Sequence, residues 1–80
     1  MYNATDAEIK EMQSKYVIAF IMEDTKMSLA EATKLWYNSK TKAIIIDGNN
    51  DYTHVSPTRC YYELQMELTN NPRWMKGQFD

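Results

Sequence analysis

The chain holds one thiol and one imidazole, Cys60 and His54. A nucleophilic pair would need the imidazole within hydrogen-bond reach of the sulfur and a third group to orient it. Cys60, however, falls in register with Tyr61, Leu64 and Leu68 on the apolar stripe of a helix, where a cysteine acts as a small hydrophobe. Asp47, Asn49 and Asp51 match the first, third and fifth ligands of a calcium loop. Tyr52 replaces the glycine and Thr58 the bidentate glutamate which that loop requires, so a turn built on Gly48 and the asparagines accounts for the same residues. Glu63 and Glu67 form an i,i+4 carboxylate pair and are expected to face water. Two glycines cannot form a phosphate-cradling loop. These constellations point to no enzyme, with no catalytic residue, cofactor or metal ligand expected.

A fourth group has the spacing for nucleic acid. Ser39, Lys40, Thr41 and Lys42 open a short helix after a first one, as in a helix-turn-helix pair. Against it stand Trp36, where the tight turn wants a glycine, and the greasy triplet Ile44, Ile45 and Ile46. The net charge of −2 also lacks the basic footprint of a DNA-binding domain.

The elements that must position these residues are marked by their caps. "TDAE" puts Thr5 at an N-cap and Glu8 three residues on, a capping box. From there Ile9, Met12, Tyr16, Ala19 and Phe20 recur at helical spacing and predict the buried stripe. Asp6 with Lys10, and Glu11 with Lys15, make acid-before-base pairs elsewhere on that helix. The run "YVIAFIM" then breaks the pattern: Val17 and Ile21 point to one flank, and Ile18 and Met22 to the side of Glu11 and Lys15. A helix apolar all round must be covered all round. "SLAE" repeats the capping box at Ser28 and Glu31, and Leu29, Ala32, Leu35 and Trp36 predict a second stripe. "SPT" opens the last long helix, with Ser56 as cap and Pro57 at the first helical position. Between them, the stretch from Asn38 to Ser56 suits a short helix capped by Ser39 or Thr41 and ending at Gly48. The alternative is a small hairpin across "DGNN", spanning residues 43–55, which would make the fold α+β. In the C-terminal segment Asn71 and Pro72 suit a final turn, and Trp74, Met75 and Phe79 are expected to dock.

Eighty residues allow one core, so residues 1–80 are read as a single domain. The expectation is an all-α bundle of three main helices plus short helical turns. A 44% hydrophobic content is that of a folding chain, and one cysteine cannot staple it. No stretch has the make-up of a secretion leader, so a cytoplasmic protein is expected and the "NAT" sequon at Asn3 is read as unmodified. Seven apolar residues are too few to span a bilayer, which needs roughly 20.

The order Ser39, Thr41, Ile45, Asp47, then Tyr52, Ser56-Pro57 and Tyr62-Glu63-Leu64, preceded by "MSLAEATKLWYNS", resembles a pattern in small uncharacterised bacterial helical proteins. The resemblance covers about the middle two thirds of the chain, implies the helical fold, and brings no activity with it.

What remains is surface. Ile18 and Met22 on the first helix, and Tyr62 and Met66 on the last, are apolar residues beyond what single stripes need. With six tyrosines and six methionines, the chain is rich in types that protein interfaces favour. The expected function is a non-enzymatic protein-interaction module, with Ile18, Met22, Tyr62 and Met66 as interface candidates and a homodimer as one form of partnership. The alternative is a helix-turn-helix DNA-binding regulator.

Overall fold

The computed structural model describes residues 4–69, and the expected turn at Asn71 and docking of Trp74, Met75 and Phe79 lie outside them. The fold is all-α, with no strand among the described residues. Helix α1 spans Asp6–Thr25, α2 Leu29–Tyr37, α3 Lys40–Lys42 and α4 Pro57–Leu68. A π-helical stretch, Ala43–Asp47, continues α3, and a 3-10 turn, Tyr52–His54, leads into α4. The segment that could have been a hairpin is thus helical.

The caps sit where the sequence puts them. Glu8 N–H donates to Thr5 Oγ1 at 3.2 Å, and Thr5 N–H donates back to Glu8 Oε1 at 3.1 Å. Ser28 and Glu31 repeat this at α2, and Ser56 Oγ accepts from Arg59 N–H at 3.1 Å ahead of α4. Lys26 ends α1 in the left-handed region, φ 64°, its N–H closing on Met22 O. Lysine there costs about 1 kcal/mol relative to a residue free of a Cβ.

Helix α1 packs against both α2 and α4, but not with the predicted stripe. Its buried residues are Gln13, Ser14, Val17, Ile18 and Ile21. Met12 and Tyr16 are each 57% exposed, Ala19 is exposed, and Ile9 and Phe20 are half-buried. Shape explains the inversion. The β-branched residues of "YVIAFIM", Val17, Ile18 and Ile21, lie within one arc of the helix. They meet Ala32 and Trp36 of α2, Ile45 and Ile46 of the π-helical stretch, and Cys60 and Leu64 of α4. Close packing favours that compact set.

Two polar contacts fix this face. Trp36 Nε1–H donates to Ser14 Oγ at 2.9 Å inside the core. Gln13 Nε2 donates to the carbonyls of Tyr52 at 2.8 Å and Val55 at 3.2 Å, tying the 3-10 turn to α1. Asp6 and Lys10 take tertiary partners: Tyr52 Oη–H donates to Asp6 at 2.6 Å, and Lys10 lies 3.5 Å from Asp47.

The π-helical stretch solves the problem of three consecutive isoleucines. Its i→i+5 winding stacks residues five apart, so Lys42 meets Asp47 at 2.9 Å while Ile45 and Ile46 both enter the core. Gly48 follows with φ −97°, an ordinary value. Glycine is favoured there instead by closeness, because a Cβ would stand a tight 3.0 Å from Ala43 O.

Candidate functional site

Cys60 is fully buried, and burial, the largest influence on it, pushes its thiol up from 9.0 to about 12. His54 is exposed at the end of the 3-10 turn. Burial therefore keeps Cys60 in its unreactive thiol form in the folded protein. Labelling of Cys60 by a thiol reagent should be slow and limited by opening of the fold, then fast in urea. Fast labelling of the folded chain would contradict this placement.

Asp47 is committed to lysines. Partial burial pushes its carboxyl up, but the hydrogen bond and charge of Lys42, with Lys10 beside it, hold it below its ordinary value. Asn49 folds back on its own loop, with Nδ2 donating to Ile45 O and Oδ1 accepting from Asp51 N–H. Among the described residues no group of three His, Cys, Asp or Glu side chains could hold a metal ion.

The Ser39–Lys42 corner is mostly interior. Ser39, Thr41 and Lys42 are buried, and of the four only Lys40 is exposed. Lys42 lies 4.8 Å from the centre of the Tyr37 ring as well as against Asp47. The place a phosphate would take at the start of α3 is filled by Glu67. Its carboxylate accepts from the N–H groups of Lys40 and Thr41, at 3.2 and 2.8 Å, and from Thr41 Oγ1 at 2.6 Å.

Glu63 and Glu67 therefore do not face water as expected. Glu67 is half-buried against α3, and Glu63 is 2% exposed. Arg59 Nε–H donates to Glu63 Oε1 at 2.9 Å, which offsets part of the cost of burying that charge. Glu63 Oε2 is buried without a hydrogen-bond partner among the described residues, as is Gln13 Oε1. Each such acceptor costs about 1–3 kcal/mol unless something donates to it. Sequence reasoning missed both glutamates, because the donors that draw them inward lie on other turns or another helix.

The four interface candidates separate. Ile18 is 7% exposed and belongs to the core of its own chain, and Met22 is half-buried against that core. Tyr62 is exposed and Met66 half-buried on α4. The ordered apolar surface is on the other side of α1, where Ile9, Met12, Tyr16 and Ala19 stand three, four and three residues apart. This is the spacing of a coiled-coil seam. Single exposed residues such as Leu29 and Leu68 are ordinary, but a regular seam is not. The signal that could have found it was the clustering of β-branched residues in one arc: Val17, Ile18 and Ile21 claim the interior and leave Met12 and Tyr16 outside.

Among the described residues no helix is long and apolar enough to cross a membrane. Comparison with protein-family models, with curated proteins and with solved structures gave no match in any of the three.

Proposed function

We propose that this chain is a small, non-enzymatic protein-interaction module that pairs with a second copy of itself through the outer face of α1. The observation that carries this reading is the seam of exposed Met12, Tyr16 and Ala19, continued toward the N-terminus by half-buried Ile9. A 3-4-3 apolar repeat offers knobs and holes together, so its natural complement is another helix with the same repeat. A second copy supplies one, and closed two-fold dimers are the commonest assembly. A domain this small also gains by burying surface it cannot cover alone.

Light scattering on a sizing column tests this. The parent protein should run at twice the chain mass, and the Met12→Glu/Tyr16→Glu variant at the chain mass with an unchanged helical circular dichroism spectrum. A parent at the chain mass at all concentrations would overturn the reading.

A further inference from the structure

We propose that the cleft between the π-helical stretch, the 3-10 turn and α4 binds a small amine, a primary ammonium carried on an apolar body, with Glu63 as its receiving group. The cleft measures about 580 Å³, within the range of small-molecule pockets, and stands apart from the seam on α1. Ile44, Ile45 and Val55 give it an apolar lining, while Asn49, Asp51 and His54 add polar groups. Arg59 and Glu63 complete the wall from α4.

Glu63 makes the cleft more than a dent. It is nine-tenths buried or more, one oxygen is held by Arg59, and the other has no donor among the described residues. Buried carboxylate oxygens are normally hydrogen-bonded, and among the described residues nothing donates to this one. The charge of the lining selects the kind. Arg59 balances Glu63, and Asp51 leaves the wall net negative, which favours a cation and disfavours an anion. An ammonium donates a charge-assisted bond, stronger than a neutral hydroxyl can offer. The isoleucines and Val55 then take the apolar body. One wall is π-helical, a winding frequent at functional sites.

The test uses the full chain and three probes of similar shape: phenethylammonium, the neutral phenethyl alcohol and the anionic 3-phenylpropionate. Methyl NMR of Ile44, Ile45 and Val55 reads binding. The ammonium should give saturable shifts confined to those methyls, with the alcohol weaker by about tenfold and the carboxylate weaker still. Glu63→Gln, checked for folding by circular dichroism, should lose that preference. Asp51→Asn, at an exposed position, should weaken the ammonium alone. No saturable shift, equal binding of ammonium and alcohol by the parent, or a preference that survives Glu63→Gln would each overturn the proposal.

Discussion

Replacing Trp36 by alanine should unfold this domain at room temperature. Trp36 is fully buried and is the largest side chain of the core, where α1, α2, the π-helical stretch and α4 converge. Large-to-small changes of this kind cost about 3–5 kcal/mol, through lost burial and the cavity left behind. A single small core rarely supplies more than about 3–5 kcal/mol in total. The Ser14 hydroxyl would also lose its indole donor. Trp36→Phe separates the two effects, since it keeps an aromatic ring and removes only the hydrogen bond and part of the volume. Urea unfolding followed by circular dichroism should show no folded baseline for Trp36→Ala and a lowered but cooperative midpoint for Trp36→Phe. A midpoint for Trp36→Ala matching the parent would mean that the core is organised elsewhere.

Ile18→Glu should be comparably damaging, and Tyr16→Glu should be mild, although the two positions are two residues apart on one helix. At position 18 a carboxylate would lie among Val17, Ile21 and the residues facing them, with no cation of the core cluster to pair with. An unpaired buried charge belongs to the most destabilising class of substitution, at about 4 kcal/mol or more. At position 16 the side chain is exposed within the chain, and exposed changes usually stay within about 0.5 kcal/mol. Thermal melts of dilute protein measure both. Two equally stable variants would mean that the buried face of α1 has been misplaced.

The caps were legible because each is a local device: Thr5 with Glu8, Ser28 with Glu31, and Ser56 before Pro57 are read within four residues. The helix lengths followed from them, and the all-α class from the helices. The buried face of α1 was not legible from periodicity, because that helix carries two apolar arcs and spacing ranks neither above the other. Tertiary packing chose the branched arc. Residues 43–55 were ambiguous for a related reason: a run of three isoleucines suits a strand or a tightly packed helix, and π winding is a third solution that no local rule announces. Glu63 and Glu67 were misread because their partners, Arg59 within α4 and the open amides of α3, become decisive only once the helices pack. The sequence requires Ile18 to be covered but leaves open whether by the chain itself or by a second copy, and packing settles it in the chain's own core.

The central claim is that the arc left outside is a pairing surface, and the most direct test is the concentration dependence of the melting temperature. A self-associating native state is stabilised by its own concentration. The parent midpoint should rise by roughly 5 °C over a hundredfold increase in protein, while the Tyr16→Glu midpoint stays flat. A parent midpoint constant to about 1 °C over that range would contradict the account, leaving the Met12–Tyr16 seam as bare surface.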